Sequence, residues 1–219
     1  MSDRIHEYKG KGITVSWDSK RCVHVAECIR RLRSVFDTTR VPWVQPDNAD
    51  AERVAEVVQR CPTGALHFNR MDGQNQEAIP AENSVEVSTD GPLYLRGDIE
   101  IKGADETVIL KDTRVALCRC GASASKPFCD GKHRQINFHG NSRQLPDVSP
   151  EKSSDAATGK LTVNLRPNGS LKFQGNFKVR LSGSDNGKYL KDLSFCRCGK
   201  SERKPFCDGT HKKFDFKTA

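Results

Sequence analysis

Nine cysteines are the residues of this chain best suited to chemistry, and their spacing divides them into three sets. Two of the sets share the order Cys-x-Cys followed by Cys-x3-His. These two sets are Cys118, Cys120, Cys129 and His133, and Cys196, Cys198, Cys207 and His211. The third set has no fourth cysteine and consists of Cys22, Cys28 and Cys61. Thiolate and imidazole bind zinc and iron–sulfur clusters, so the sequence predicts three metal centres.

The ligand types of the two Cys3His sets leave the metal open. In an extended segment, residues two apart project to the same side, so a Cys-x-Cys pair can chelate one iron while the following Cys and His bind a second. A tetrahedral Cys3His zinc site fits the same ligands equally well. Zinc and a [2Fe-2S] cluster are therefore both consistent with the spacing.

Charged residues stand beside the predicted ligands. Asp130 and Asp208 precede a glycine, which is as typical of a turn or helix cap as of a residue that supports a ligand. Arg119 and Arg197 lie between chelating cysteines, where they could offset cluster charge, dock an acidic partner or face solvent. We predict none of the four as a metal ligand.

The two Cys3His sets lie in a repeat of 78 residues. The apolar positions that precede each set also recur at this offset; for example, Val85 corresponds to Val163 and Ile101 to Val179. These positions alternate with period two, which is typical of short, half-buried strands. Neither copy has enough apolar residues to bury its strands alone, so we expect the copies to pack as an intramolecular pseudo-dimer.

Both copies resemble the CDGSH iron–sulfur family, whose pattern is Cys-x-Cys-x2-Ser/Thr-x3-Pro-x-Cys-Asp-Gly-Ser/Ala/Thr-His. The second copy matches every position, and the first departs only at Lys132, where a small residue is usual. The resemblance covers residues 84 to 219. It implies that each set binds one [2Fe-2S] cluster through three cysteines and one histidine, and that the family's dimer of one-motif chains is fused here into one chain.

The third set lies in a segment that resembles single-cluster ferredoxins with a Cys-x5-Cys and a remote Cys-Pro, including the divergent ferredoxin domains often joined to CDGSH units. The likeness covers residues 8 to 70 and includes the phrases Ser34-Val-Phe-Asp, Pro42-Trp and Cys61-Pro-Thr-Gly-Ala-Leu. Three thiolates suit a [3Fe-4S] cluster, which we favour; a [4Fe-4S] cluster would need a fourth ligand, for which His24 is the nearest candidate. A buried group of reduced thiols without metal is the alternative.

Hydrophobic patterning predicts the elements that position these ligands. Ile13-Thr-Val alternates like a strand, residues 47–60 have helical spacing with three valines on one face, and residues 65–68 could return as a strand. The predicted fold class is α+β, with an N-terminal ferredoxin-like unit followed by two β-rich CDGSH repeats. The predicted boundaries are 1–71 for the ferredoxin-like domain, 72–83 for a linker, 84–139 for the first repeat, 140–159 for a flexible linker and 160–219 for the second repeat.

Composition bounds the compartment and the partners. An odd number of cysteines, with no secretory signal and no membrane-length apolar run, predicts a cytoplasmic protein with reduced thiols and no membrane attachment. The net charge of +8 belongs to residues 160–219, which carry 14 basic and 5 acidic side chains and so favour an acidic redox partner. Few aromatic residues accompany this charge, so we expect no nucleic-acid partner.

The leading functional hypothesis is a monomeric electron-transfer protein with three clusters. No Ser-His-Asp pattern, phosphate loop or nucleotide fingerprint is evident, so we expect no catalytic centre and no enzyme activity. The second hypothesis is a donor or sensor of clusters or iron, because a histidine ligand can release a cluster on protonation. The third is an interaction module stabilised by zinc.

Overall fold

The computed structural model describes residues 5–140 and 144–218. The chain divides into two compact units, one ending at Ala78 and the other beginning at Ile79. Both strands and helices are present, and the second unit is rich in β-structure. The predicted α+β class is therefore confirmed.

The first unit is a three-stranded antiparallel sheet in the order β1-β2-β3, with two helices between β2 and β3. Its elements are β1 (Ile5–Lys9), β2 (Ile13–Asp18), α1 (Glu27–Arg31), a 3-10 helix (Pro46–Asn48), α2 (Ala51–Val58) and β3 (Leu66–Arg70). The strand predicted from Ile13 is β2, and the return strand is β3. The half-exposed β1 was not predicted, because at the sheet edge its side chains have little apolar surface to bury.

The helix expected over residues 47–60 is shorter in the structure. Ala49 is fully extended, so the chain leaves the 3-10 helix before α2 begins. The helical pattern was nevertheless correct where it matters for packing. Val54, Val57 and Val58 are all buried against the sheet, and they fix α2 over the core of the first unit.

The second unit is an eight-stranded sheet. Its strands are β4 (Ser84–Val87), β5 (Leu93–Lys102), β6 (Val108–Leu117), β7 (Leu161–Leu165), β8 (Leu171–Gln174), β9 (Asn176–Leu181), β10 (Gly187–Lys191) and β11 (Ser194–Phe195). The order is β10-β9-β4-β5-β7-β8-β11, and β6 also pairs with β5. One continuous apolar core lies under all these strands.

Strands of the first repeat pair with strands of the second repeat in two places. In one parallel pair, β4 of the first repeat lies beside β9 of the second, with Val85 opposite Val179. In the other, β7 of the second repeat lies beside β5 of the first, with Val163 opposite Ile101. An offset of 78 residues converts one pair into the other, so the pairings are equivalent. The predicted pseudo-dimer itself stays a prediction.

Asn83, directly before β4, links the two repeats through side-chain hydrogen bonds. Its side-chain amide donates to the carbonyl oxygens of Gly159, at 2.7 Å, and Asn176, at 3.0 Å, and its Oδ1 accepts from the Asp98 N–H. The side chain is almost fully buried, so these bonds lie in a protected environment.

The segment predicted as a flexible linker is partly packed against the second unit. Leu145 and Val148 contact its core, Ala157 is buried, and Ser153 bridges to Leu190 of β10. Residues 141–143 of this segment lie outside the described residues. None of the helices in residues 5–140 and 144–218 has the length and apolar character that crossing a lipid bilayer requires.

Candidate metal centres

Each Cys3His loop is folded back on the strand that leads into it. In the first repeat, the Cys118 N–H donates to the carbonyl oxygen of Pro127 and the Cys129 N–H donates to that of Ala116, at 2.8 and 2.9 Å. In the second repeat, Cys196 bonds Pro205 and Cys207 bonds Ser194 in the same way, both at 2.8 Å. These backbone bonds bring the late Cys-x3-His pair beside the early Cys-x-Cys pair.

The four predicted ligands of each loop form two donor pairs. The Sγ atoms of Cys118 and Cys120 are 3.7 Å apart, and the Sγ of Cys129 is 3.4 Å from Nδ1 of His133. The second loop has the same two distances. There the pairs are Cys196 with Cys198, at 3.7 Å, and Cys207 with His211, at 3.4 Å. In both loops it is Nδ1 of the imidazole that faces the sulfur.

Backbone conformation and local hydrogen bonds shape the turn between Cys129 and His133. Gly131 has a φ of 85°, and its N–H points at the Cys129 Sγ over 3.4 Å. The Asp130 carboxylate accepts hydrogen bonds from the N–H groups of Ala124 and Lys132, at 2.7 and 2.9 Å. The aspartate is therefore a turn cap, and Asp208 makes the same contacts in the second loop.

Burial and hydrogen bonding set the protonation of the donors. The hydrogen bond between the two thiols lowers the pKa of Cys118, while the same interaction and burial raise the pKa of Cys120. Cys196 and Cys198 show the same opposite shifts. Burial raises the pKa of Cys129 to about 11. A bound cation would be needed to hold all three thiols of a loop as thiolates at neutral pH.

The two candidate histidines differ in exposure. His133 is buried, whereas His211 is only half-buried. Burial lowers the pKa of both imidazoles below the ordinary value of 6.5. Both side chains are therefore neutral at neutral pH, which is the state that binds a metal.

The two loops touch each other through their glycines. A Cβ atom at Gly121 would lie 2.7 Å from the carbonyl oxygen of Cys198, and one at Gly199 would lie 2.6 Å from that of Cys120. Only glycine allows this approach. The sequence did not predict this contact, although the Cys-Gly pair that makes it recurs in both repeats.

Two arginines are buried between the chelating cysteines. Arg119 is fully buried, and it donates to the carbonyl oxygens of Gly91, at 3.0 Å, Ser88 and Thr89. Arg197 is 2% exposed and donates to Gly169 at 2.8 Å and to Arg166 at 2.5 Å. A simple solvated role is therefore excluded for both arginines.

The third set is assembled in the first unit. Cys22 and Cys28 lie on the loop between β2 and α1 and at the start of α1, and Cys61 follows α2. All three line one cavity. His24 and Ala26 take positive φ values of 54° and 63°, which curl the loop between the first two cysteines. Burial, followed by the charges of Cys61 and Cys22, raises the pKa of Cys28 to about 11.

The cavity wall also includes His24 and Trp17. The His24 side of this wall is open, because His24 is exposed to solvent. The Trp17 Nε1 is buried and makes no hydrogen bond with the described residues. Its N–H could therefore donate a hydrogen bond to a cluster sulfur or a thiolate. Three cysteines and a free donor in one enclosure fit an iron–sulfur cluster.

The remaining histidines make contacts outside the three predicted ligand sets. His67 contacts Glu77 at 2.9 Å, His139 lies 3.8 Å from Asp90, and His6 stacks on Trp17. Within the described residues, no three His, Cys, Asp or Glu side chains converge closely enough to hold a single metal ion. The donors of each Cys3His loop are arranged as separate pairs.

Comparison with known families covers both units. Residues 8–71 match the model described as a divergent 4Fe-4S mono-cluster, and residues 90–134 and 168–212 each match that of the iron-binding zinc finger CDGSH type. The chain belongs to the first family in its N-terminal unit and to the CDGSH family in its two repeats. The predicted resemblance to both is confirmed.

Two curated relatives are similar to this chain over part of its length. The uncharacterized protein YjdI of Escherichia coli strain K12 is 36% identical over 61 residues, which are 28% of this chain and 80% of that protein. YjdI of Escherichia coli O157:H7 gives the same values. No solved structure matches the chain significantly.

Proposed function

We propose that this protein transfers electrons through two [2Fe-2S] clusters, each held by three cysteines and one histidine, and a third cluster in the first unit. The observation that carries the proposal is the division of each Cys3His loop into two donor pairs. Each pair supplies two ligands to one iron. In this proposal the protein has no catalytic centre of its own.

Three observations favour a [2Fe-2S] cluster over zinc in the two loops. The donors form a Cys-Cys pair and a Cys-His pair, which matches two metal atoms better than one. The N–H groups of Gly131 and Gly209 point at thiol sulfurs, as in many cluster sites. The matching family is described as a zinc finger of the CDGSH type that binds iron.

The cavity of the first unit is the proposed site of a [3Fe-4S] or [4Fe-4S] cluster. Cys22, Cys28 and Cys61 provide three ligands, which suffice for three irons. The matching family is described as a 4Fe-4S mono-cluster, and a four-iron cluster would take its fourth ligand from outside this set. His24 lies in the same cavity wall.

The clusters supply one-electron chemistry, and the protein tunes it. In each loop a neutral imidazole, of His133 or His211, takes the place of one thiolate. The cluster and its ligands therefore carry less negative charge than at an all-cysteine site. A reduction potential above that of plant-type ferredoxins follows. The basic side chains of residues 160–219 would dock an acidic redox partner in the cytoplasm.

Metal analysis and a redox titration test the proposal together. The paired loops should hold about four irons and four sulfides per chain; the third cluster should raise iron to about seven or eight and sulfide to about eight. EPR spectra during stepwise reduction and reoxidation should show reversible one-electron changes. A colourless protein that contains zinc and no sulfide would overturn the proposal and support an interaction module.

Cluster or iron donation is the second candidate function, and the half-exposed His211 favours it. Protonation of an accessible ligand would release its cluster. Incubation with a metal-free acceptor ferredoxin separates the two functions. Cluster transfer that outpaces electron transfer would favour donation, and stable clusters that cycle between two redox states would favour electron transfer.

A further inference from the structure

Trp17 lies in the wall of the cavity that the three cysteines of the first unit line. It stands near the end of β2, where its backbone pairs with both neighbouring strands. Its side chain forms part of the cavity wall together with Cys22, Cys28 and Cys61. Because β2 is held on both sides, the sheet fixes the indole beside the cysteines.

The indole N–H of Trp17 is a buried donor that has no acceptor in residues 5–140 and 144–218. The His6 ring stacks on the indole with 5.3 Å between centroids, and the Trp43 ring meets it edge-on at 5.1 Å. These contacts fix the plane of the indole but accept no hydrogen bond from Nε1. A buried donor without an acceptor costs free energy, so such groups usually have a partner in the working protein.

The cavity itself offers few acceptors for this N–H. Its accessible wall is almost entirely apolar. The hydroxyl of Thr63, a polar group in this wall, already accepts a hydrogen bond from the Ala65 N–H at 3.2 Å. The acceptors that would complete the site are therefore sulfurs, from cysteine thiolates or from a bound cluster. Hydrogen bonds to an ionised acceptor are about twice as strong as those between neutral groups.

Trp43 lines the same cavity but directs its indole N–H elsewhere. Its Nε1 is also buried without a close hydrogen bond. Burial raises the pKa of the Tyr8 hydroxyl, and the interaction of this hydroxyl with Trp43 partly offsets the increase. The Tyr8 and Trp43 rings meet edge-on at 6.1 Å. Trp43 is therefore the matched control for Trp17, because it has the same side chain in the same wall but a different neighbour for its N–H.

We propose that the indole N–H of Trp17 donates a hydrogen bond to a sulfur of the third cluster or of its cysteine ligands, and so raises the reduction potential of that cluster. The inference rests on the proposed cluster in the first unit and holds for three or four irons. It assigns Trp17 to the binding of this cluster, in addition to the three cysteines.

The direction of the effect follows from charge. Reduction adds one electron to the cluster and makes its sulfurs better hydrogen-bond acceptors, so a donor stabilises the reduced form more than the oxidised form. The apolar wall strengthens the interaction, because little water competes for the sulfur.

Trp17→Phe tests the proposal, because it removes the N–H and keeps an aromatic ring between His6 and Trp43. The EPR signal of the third cluster is identified as the one that Cys61→Ser removes. In a redox titration of Trp17→Phe, the ratio of reduced to oxidised third cluster at a fixed potential should fall about tenfold, which is about 59 mV for one electron. The iron content and the potentials of the two [2Fe-2S] clusters should stay at their wild-type values.

Trp43→Phe is the control for the loss of an indole from the cavity wall. It should leave the potential of the third cluster close to that of the wild type, because the Trp43 N–H interacts with Tyr8. A merely structural role of the aromatic wall would give both variants the same effect.

A second measurement observes the hydrogen bond without any change at Trp17. The chain has two tryptophans, so Trp43→Phe leaves Trp17 as the only one. In this variant, produced with tryptophan that carries ¹⁵N at Nε1, ENDOR of the third cluster should show a ¹⁵N coupling. It should also show an exchangeable proton that is lost in D₂O. This result decides the matter even if Trp17→Phe fails to take up iron.

Three results would overturn the inference. These are an unchanged potential of the third cluster in Trp17→Phe, an equal fall in Trp43→Phe, and the absence of ¹⁵N coupling in the labelled protein. Absence of third-cluster iron from the wild-type protein would instead overturn the proposed cluster itself. Iron analysis of the wild-type protein therefore distinguishes the two failures.

Discussion

At the scale of single residues, histidine is the predicted ligand that would distinguish these centres from all-cysteine cluster sites. Burial keeps the pKa of His133 and His211 below 6.5, so both are neutral above that pH. As the pH falls below 6.5 towards the lowered pKa values, the released imidazole takes up a proton that the metal-bound form cannot hold. Stability that is fully present above pH 6.5 is therefore lost on acidification.

The first prediction concerns this acid lability. We expect the visible absorbance of the protein to be stable at pH 7.5 and to decay increasingly fast below pH 6.5. His211→Cys should slow the decay at the second site and lower the potential of its cluster, because thiolate adds negative charge. Stopped-flow absorbance and a redox titration measure the two effects. Decay kinetics that are unchanged in His211→Cys would contradict the prediction.

The second prediction compares the two histidines. His211 is half-buried and His133 is buried, so the second cluster should be released first during acidification. His133→Cys is the matched variant, and it should leave the fast phase of decay unchanged. A fast phase that disappears in His133→Cys would show that burial does not set the order of release.

At the scale of elements, the two Cys3His loops are joined where a glycine of each meets the backbone of the other. Gly121 and Gly131 have almost equal φ values, 82° and 85°, but different surroundings. A Cβ at Gly131 would meet nothing within 4 Å, whereas one at Gly121 would strike the Cys198 carbonyl. A comparison of alanine substitutions at Gly131 and Gly121 therefore separates the effect of backbone strain from the effect of the contact between the repeats.

The third prediction uses this pair of glycines. Gly131→Ala should destabilise the protein by about 1–2 kcal/mol, which is the cost of a left-handed conformation for alanine. Gly121→Ala should cost clearly more and should increase the acid lability of the second cluster as well as the first. Thermal unfolding and cluster-decay kinetics of both variants provide the measurements. Equal effects of the two substitutions would argue against a functional contact between the loops.

The fourth prediction concerns the strands that the repeats exchange. Asn83→Ala removes three hydrogen bonds at the start of β4, two to the backbone carbonyl groups of Gly159 and Asn176 and one from the Asp98 N–H. We expect the free energy of unfolding to fall by about 1–3 kcal/mol. Asn69→Ala, at an exposed position in the first unit, is the control and should change it little. Urea unfolding gives both values.

At the scale of the whole molecule, the protein combines two kinds of candidate cluster site in separate compact units. The cavity of the first unit is built from its own residues, and the paired loops are built from those of the second unit. Loss of one kind of site should therefore leave the other intact.

The fifth prediction tests this independence. Cys61→Ser should remove the three or four irons of the first unit and leave about four. The [2Fe-2S] signals should keep their wild-type potentials. Iron analysis and EPR of the variant check both statements, and Cys207→Ser is the reciprocal substitution. A loss of all iron in Cys61→Ser would mean that the units depend on each other.

The sequence alone predicted the candidate ligand sets and determined the repeat and the α+β class, because metal-ligand types and alternating strands leave direct marks in residue type and spacing. It also located the buried face of α2, since Val54, Val57 and Val58 recur with helical period. It did not predict β1, whose edge position leaves a weak apolar pattern, or the break at Ala49, which depends on backbone conformation.

Only the tertiary structure decided how the parts of the two repeats meet. The exchange of parallel strands joins residues far apart in the chain, which no local pattern encodes. The same is true of Arg119, whose position between two cysteines was consistent with a solvated side chain. Its burial follows from the turn of β4 and β5 that closes over it, and from the opposing loop that Gly121 allows to approach. The sequence thus predicted three sets of candidate ligands, and the fold brought two of them together because their loops pack against each other.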